Sequence, residues 1–193
     1  TLYITTNLNF KRVKMFIAFE GLDGAGLTTH AKLTEKYLVE KGYKVVLTKE
    51  PTDGLIGGLI RASLRGEWKT DPYTLQLLFA ADRSHHLRKL IIPALKKKRI
   101  VITDRYMFSS LAYGSLNCEM EWLKKINEKF PIPDITFILD LDPGIALKRI
   151  KEERFAIELF EEKRKLEKVR KAYHKIAREY ENIFIIKTDT EIK

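Results

Sequence analysis

The chain has 193 residues, a length that suits one domain with a well-buried sheet core. Hydrophobic residues make up 45% of the chain, no apolar run approaches the length of a membrane span, and the single cysteine excludes an internal disulfide. The formal net charge of +10 indicates anionic partners, which include nucleotides and phosphates as well as nucleic acid.

The N-terminus and the cysteine content favour a cytoplasmic protein without a membrane segment. The first residues lack the continuous apolar centre of a secretory signal, and the lone Cys118 fits a reducing compartment. Lys and Glu alternate along the helical stretches, a composition that resembles heat-adapted proteins. The densest basic run, Lys96-Lys97-Lys98-Arg99, closes a helical segment, so we interpret it as a solvated helix end rather than a nucleic-acid patch.

Strands and helices alternate along the chain. Continuous apolar runs predict five strands, at 16–19, 44–48, 100–104, 135–141 and 183–186. Apolar residues at helical spacing predict helices over 29–41, 56–64, 71–90, 105–113 and 119–129, from 143 onward and through most of 155–180; Pro93 is expected to kink the third. This alternation predicts an α/β fold, a parallel sheet with helices on both faces. We interpret residues 1–14 as an N-terminal extension and 15–193 as a single domain.

The first strand runs into a glycine-rich turn that opens the first helix. It reads Gly21-Leu22-Asp23-Gly24-Ala25-Gly26-Leu27-Thr28-Thr29. This is nearly the phosphate-binding loop G-x-x-x-x-G-K-[ST], in which glycines turn backbone N–H groups inward and the helix adds its positive end. The lysine position holds Leu27. The alternative interpretation is a strand-to-helix turn that binds nothing.

Two other strand ends carry polar residues, and in parallel sheets ligands bind beyond the carboxyl ends of the strands. The second strand ends near Glu50-Pro51, and the third ends in Asp104-Arg105. Asp104 is positioned like the carboxylate that holds magnesium in P-loop enzymes, and Arg105 carries a fork suited to phosphate. The alternative is an ion pair that only caps a strand end.

Taken together, these motifs resemble the thymidylate kinase family, which belongs to the nucleoside monophosphate kinase group of P-loop proteins. The resemblance rests on an ordered set that covers nearly the whole chain after residue 14: Phe19-Glu20-Gly21 with the loop, Glu50-Pro51-Thr52, Leu78-Phe79-Ala80-Ala81-Asp82-Arg83, Asp104-Arg105-Tyr106 through Tyr113, Pro133-Asp134, and Leu139-Asp140-Leu141 with Ala146-Leu147-Lys148-Arg149. It implies in-line transfer of the γ-phosphoryl group of ATP to dTMP, a helical lid around 149–160, and a homodimer.

The resemblance also implies the residues of the site. The catalytic residues would be Asp104, Arg105 and Arg154, with Mg²⁺ held by Thr28 and Asp104. The ATP site would contain Gly21, Asp23, Gly24, Ala25, Gly26, Leu27, Thr28, Thr29 and Arg149. The dTMP site would contain Asp23, Glu50, Pro51, Phe79, Arg83, Arg105, Ser109 and Tyr113.

Within the dTMP site, Phe79 would stack on the base, Arg83 would bond the base edge, and Asp23 would accept from the sugar 3′-hydroxyl. Tyr113 would crowd the 2′ position. Phe79 and Tyr113 could instead be core residues, and Arg154 a solvated cation. The adjacent histidines His85 and His86 face different directions on a helix, so we expect a structural role for them.

Two residues depart from the family pattern. Leu27 lacks the charge and donors of the loop lysine, and Gly114 lacks a polar side chain that often helps to fix the base. The first departure leaves open a nucleotide-binding protein with little kinase activity. The second leaves open a broader acceptor specificity. A nucleic-acid-binding protein is a third class, but the sequence lacks interleaved aromatic and basic residues.

Overall fold

A computed structural model of the chain describes residues 14–153 and 163–189. Five strands form its sheet: β1 (Met15–Gly21), β2 (Val45–Lys49), β3 (Ile100–Asp104), β4 (Ile135–Asp140) and β5 (Ile183–Lys187). Their order in space is β2-β3-β1-β4-β5, and every neighbouring pair is parallel. The predicted five-stranded parallel sheet is therefore confirmed, and all strand ends that carry polar motifs meet at one edge.

Eight α-helices are found in the described residues. They are α1 (Leu27–Glu40), α2 (Leu55–Leu64), α3 (Pro72–His86), α4 (Ile92–Lys96), α5 (Met107–Gly114), α6 (Met120–Asn127), α7 (Pro143–Glu153) and α8 (Lys163–Glu179). None of these helices combines the length and the apolar composition needed to span a bilayer.

The centre of the core is β1, which is buried along its whole length. It lies between β3 and β4, so neighbouring strands cover both edges while helices cover both faces, and this explains its continuous apolar run. Phe16 packs edge-on against Tyr106, with ring centroids 5.0 Å apart. The loop that follows β1 thus starts from the most firmly held strand of the sheet.

The third helix begins as predicted but continues differently. Asp71 caps it, because the Thr74 amide donates to the Asp71 carboxylate at 3.0 Å, and Pro72 takes the first turn. The α-helix ends at His86, and a π-helical segment, Leu87–Ile91, leads into α4. Proline offers no N–H and its ring crowds the carbonyl four residues earlier, so the wider turn relieves the conflict before Pro93.

Two predicted helix boundaries were wrong at the edge that carries the loops. The first helix begins at Leu27, not at residue 29, so the lysine position of the loop is its first helical residue. The helix after β3 begins at Met107, because Arg105 has a φ of 67° and cannot continue a right-handed helix. The first correction places Leu27 and Thr28 in the first turn of α1, and the second places Arg105 in the turn before α5.

The predicted extension, residues 1–14, lies outside the described residues except for Lys14, as does the lid beyond Glu153 up to residue 162. The division into an extension and a single domain stays a prediction.

Adjacent glycines in α2 offer a matched test of how tightly this helix packs on the loop after β2. A Cβ atom on Gly57 would lie 1.8 Å from the Thr52 carbonyl oxygen, whereas a Cβ on Gly58 would meet nothing within 4 Å. We expect Gly57→Ala to lower the free energy of unfolding by about 2 kcal/mol or more, since the backbone must move. Gly58→Ala should raise it by about 0.5–1 kcal/mol. Urea unfolding of both variants measures this; equal effects would contradict the close approach.

Candidate active site

A cavity of about 430 Å³ opens at the carboxyl edge of the sheet, a volume typical of small-molecule sites. The predicted residues that line it are Asp23, Gly24, Gly26, Leu27, Thr28, Thr29, Glu50, Pro51, Phe79, Arg83, Asp104, Arg105, Ser109 and Tyr113. The parallel sheet brings these residues together, since they follow β1, β2 and β3 or lie on α3 and α5. The cavity also has walls that the sequence did not indicate, among them Gln76 and Tyr106.

The glycine-rich turn forms a compact cradle between β1 and α1. The Ala25 amide donates to the Leu22 carbonyl at 3.1 Å, and Gly24 and Gly26 adopt φ values of 79° and 86°, which disfavour any other residue. Gly26 is the N-cap of α1, so the positive end of the helix points into the cradle. Leu27 follows with its side chain 6% exposed, packed in the hydrophobic core.

The two predicted magnesium ligands meet at the edge of the cradle. The Thr28 hydroxyl donates to the Asp104 carboxylate at 2.5 Å. The described residues contain no group of three or more acidic, histidine or cysteine side chains that could hold a metal alone. One hydroxyl and one carboxylate fit Mg²⁺, which keeps several waters and uses substrate phosphates as further ligands.

Arg105 is held over the cradle by an ion pair with Asp23, at 2.6 Å. A second amino group of the guanidinium donates to the Gly21 carbonyl at 2.9 Å and to the Ser109 hydroxyl at 3.1 Å. Burial alone would lower the pKa of Arg105, but the Asp23 charge raises it well above its usual value. The left-handed φ of Arg105 turns the side chain back toward β1, a strained conformation of the kind found at functional sites.

Tyr113 covers the other face of this ion pair. Its ring lies 5.4 Å from the Arg105 guanidinium carbon, and the Asp23 amide donates to its hydroxyl at 3.2 Å. Burial, followed by the Asp23 charge, raises the pKa of Tyr113 well above its usual value, so the phenol stays protonated. The predicted role against the 2′ position remains untested, but the side chain both packs in the core and reaches the cavity.

Beneath Arg105 lies a carboxylate that sequence reasoning did not assign to the site. Glu20 is fully buried and accepts from the Tyr106 and Ser109 amides at 2.9 and 3.1 Å. Its other oxygen accepts from the Ser109 and Tyr173 hydroxyls at 2.5 and 3.0 Å. Burial raises the pKa of Glu20 to about 7, although these donors and Arg105 oppose the shift. A charged residue directly after the apolar run of β1 and before the glycine-rich turn was the signal that could have found it.

Arg83 is almost completely buried, at 1% exposure, and makes four hydrogen bonds to protein groups. It donates to Glu50 at 2.9 Å, to the Asn127 amide oxygen at 2.5 Å, to the Ser110 hydroxyl at 3.0 Å and to the Tyr106 carbonyl at 3.3 Å. It lines the cavity, but most of its donors serve the protein itself. The proposed bond to a base edge therefore stays a prediction.

The two histidines separate as expected. His85 is exposed, whereas His86 is buried and joins Glu50 at 3.0 Å to the Thr48 hydroxyl at 2.7 Å. A carboxylate oxygen accepts hydrogen bonds, so the short contact suits donation from Nδ1 of His86 to Glu50. His86 thus orients Glu50 from the side opposite Arg83.

The remaining predicted residues lie around the cradle or outside the described part of the chain. Gly21 and Ala25 form the buried floor and do not line the cavity. Arg149, near the end of α7, donates to the Gly24 carbonyl at 3.3 Å and to the Thr188 carbonyl at 3.2 Å. Arg154 lies outside the described residues.

A second, larger groove of about 550 Å³ lies along α8, between its charged face and the start of α7. Its wall consists mainly of Arg, Lys and His side chains. None of the motifs at the ends of β1, β2 and β3 reaches it, so the cavity above the cradle is the candidate active site.

The parallel sheet, the glycine-rich cradle at a helix N-terminus and the Thr28–Asp104 pair define a P-loop nucleotide-binding protein of the nucleoside monophosphate kinase type. The sequence profile described as "Thymidylate kinase" matches residues 19–193. The chain belongs to the thymidylate kinase family.

Individual relatives agree with this assignment. A protein of Pyrococcus horikoshii named "Probable thymidylate kinase" is 40% identical over 184 residues, which cover 92% of this chain and 90% of that one. A protein of Sulfurisphaera tokodaii with the same name is 45% identical over 173 residues, covering 88% and 86%. The crystal structure of thymidylate kinase from Ehrlichia chaffeensis aligns with a TM-score of 0.72 and 32% identity, covering 93% and 89%.

The raised pKa of Glu20 predicts a pH-dependent stability that a neutral substitute removes. The pKa of Glu20 is about 7 in the folded state and 4.5 in the unfolded chain. Binding of this proton therefore contributes fully to the free energy of unfolding below pH 4.5, and the contribution is lost as the pH rises to 7. Gln at this position keeps one accepting oxygen, and its amide can donate to the Ser109 and Tyr173 hydroxyls. We expect Glu20→Gln to gain about 3 kcal/mol of unfolding free energy relative to the natural chain between pH 5 and pH 8. Urea unfolding across this range measures the difference; parallel curves would contradict the assigned shift.

Proposed function

We propose that this protein transfers the γ-phosphoryl group of ATP to dTMP, giving ADP and dTDP. The observation that carries the proposal is that one cavity joins the phosphate cradle to acceptor-side residues, Phe79, Arg83 and Arg105. A module that only binds ATP has no use for an aromatic side chain and two arginines lining the same cavity as the cradle. Membership of the thymidylate kinase family supports the same reaction.

The donor half would be built on backbone groups. The amides of the cradle and the N-terminus of α1 suit the negative phosphates of ATP. Thr28 and Asp104 would hold Mg²⁺, which when bound neutralises charge on the transferring phosphates. These residues need no covalent intermediate, because phosphoryl transfer depends on positioning and charge stabilisation.

In the acceptor half, the phosphate of dTMP would replace the Asp23 carboxylate as the partner of Arg105. The Arg105 guanidinium pairs with Asp23. A bound dTMP phosphate would take the place of Asp23 at this guanidinium, and Asp23 would then accept from the sugar 3′-hydroxyl. The phosphate oxygen forms the new bond to the γ-phosphorus while the bond to the β-phosphate bridge breaks and ADP leaves.

Because Leu27 replaces the loop lysine, another cation is needed to neutralise the charge on the ATP phosphates. A missing preorganised donor costs about 10²–10³ in rate, roughly 3–4 kcal/mol. We propose that Arg149 supplies part of this charge, since its guanidinium reaches the loop at the Gly24 carbonyl. Lys151 and Arg154 are two further cations that could contribute, and their side chains lie outside the described part of the chain.

An ADP-release assay with ATP, Mg²⁺ and dTMP tests both the activity and the compensation. We expect turnover by the natural chain and its loss on adding EDTA. Leu27→Lys should raise kcat about tenfold, less than the full cost of a missing donor, because Arg149 already supplies charge. Arg149→Ala should lower kcat about 100-fold in the natural chain but only about tenfold beside Leu27→Lys.

Arg149→Lys is the matched control, because it keeps the charge and should retain most of the activity. Including dUMP, dCMP and dGMP as acceptors measures the breadth of specificity. Measurable dTMP binding without turnover, rescued by Leu27→Lys, would contradict the proposal for this chain and favour a nucleotide-binding protein with a silenced kinase scaffold.

We also propose a homodimer formed through α2 and α3. These helices pack on each other and expose apolar side chains, among them Leu55 at 92%, Leu59 at 48% and Leu77 at 50%. Association would remove this apolar area from water. Sedimentation velocity should give twice the chain mass of 22.5 kDa. Leu77→Glu should shift the protein to monomer, whereas Val39→Glu on the exposed face of α1 should not; an unchanged dimer in both would place the interface elsewhere.

The cytoplasmic location and the absence of nucleic-acid partners stay predictions from the sequence.

A further inference from the structure

Gln76 has a buried amide with an unused acceptor at the wall of the active-site cavity. The residue lies on α3 and is only 4% exposed, yet its Oε1 atom has no hydrogen-bond partner among the described residues. Leaving a buried acceptor unpaired is costly, so such groups in folded proteins generally have a partner in some state of the molecule. Gln76 also lines the cavity, which is where a bound ligand would provide one.

The position of Gln76 on α3 links it to the residues proposed to hold the base. Gln76, Phe79 and Arg83 are spaced i, i+3 and i+7, so they form one stripe of the helix, and all three line the cavity. The stripe spans about 10 Å at the rise of an α-helix. An aromatic face therefore lies between an amide on one side and a guanidinium on the other.

A close approach by α5 holds the Gln76 amide in place. A Cβ atom on Gly114 would lie 3.0 Å from Cδ of Gln76 and 2.8 Å from Cδ2 of Leu123. A larger residue at 114 would thus push against the amide or against α6. The bare backbone at Gly114 leaves room for this amide beside the cavity.

We propose that Gln76 is a specificity-determining residue whose Oε1 accepts a hydrogen bond from the imide N3–H of the thymine base. This inference rests on the proposed function. The imide of thymine is a donor flanked by two carbonyl acceptors, so an amide can accept from N3–H with its oxygen and donate to a neighbouring carbonyl with its nitrogen. The bond would pair the orphaned oxygen and would fix the base at the edge away from Arg83.

The probe for this bond is a nucleotide whose N3 carries a methyl group in place of the proton and so cannot donate. Cytosine is a poorer probe, because a terminal amide can turn over and present its nitrogen to the N3 acceptor. N3-methyl-dTMP keeps both carbonyls and removes the donor. The protein variant to pair with it is Gln76→Met, which keeps the length of the side chain and its packing against Gly114 while removing both polar atoms.

The experiment measures the dissociation constants of dTMP and N3-methyl-dTMP by calorimetry, for the natural chain, for Gln76→Met and for Val39→Met. The last is the control, since Val39 is half exposed on α1 and lies outside both the cavity and the proposed dimer interface. We expect Gln76→Met to weaken dTMP binding about 10- to 100-fold, to shrink the discrimination against N3-methyl-dTMP about tenfold, and to leave ATP binding and the control unchanged.

The thermal midpoint separates this function from a packing role. Because the variant removes an unpaired buried acceptor, its Tm should equal or exceed that of the natural chain. If Gln76→Met binds dTMP as tightly as the natural chain, or discriminates the methylated nucleotide as strongly, Gln76 is a packing residue and the inference is wrong while the kinase proposal stands. If the natural chain binds no dTMP at all, the proposed function fails and takes the inference with it.

Discussion

The ion pair between Arg83 and Glu50 is the interaction on which the acceptor side of the cavity depends. Both side chains are nearly inaccessible to water, and a buried charge is tolerated only when it is paired and its remaining donors are bonded. The Arg83 guanidinium meets that requirement with groups from three other places in the fold: Glu50 after β2, Ser110 and the Tyr106 carbonyl at α5, and Asn127 on α6. These bonds fix α3 relative to the strand ends, and Gln76 and Phe79 lie on the same helix.

A second buried carboxylate, Glu20, fixes the elements around the phosphate side of the cavity. Glu20 ends the apolar part of β1 and gathers the Tyr106 amide, Ser109 and Tyr173 around it, and Ser109 in turn accepts from Arg105. Tyr173 comes from α8, so the last helix is tied to the first strand beneath Arg105. Glu50 and Glu20 differ in the charge of the groups that donate hydrogen bonds to them. Glu50 meets a guanidinium directly, whereas Glu20 is held mostly by neutral donors, and burial therefore raises its pKa.

Leu27 illustrates how a loop can keep its shape after losing its charge. The positive φ values of Gly24 and Gly26 and the first turn of α1 do not depend on the lysine, because they are set by backbone geometry. The leucine side chain packs in the hydrophobic core. A lysine at this position would have to extend its ammonium group out of the core and into the cavity. Arg149 approaches the same loop from α7, which the sheet order places close to it through β4.

The sequence by itself determined the class of fold and the residues at the strand ends. Short runs rich in β-branched residues, such as 100–104, favour buried strands, and their alternation with helices favours a parallel sheet whose carboxyl ends share one edge. Local chemistry also fixed the Asp71 cap of α3, since a cap needs only neighbours in the chain. The tertiary structure alone decided what depends on distant contacts: the turn at Arg105, the burial of Glu20 under α8, and the engagement of Arg83 by α5 and α6. Gln76 looked like any polar residue on a helix until Gly114 and Leu123 closed around it, because an unpaired buried atom is defined by the segments that surround it and not by its place in the chain.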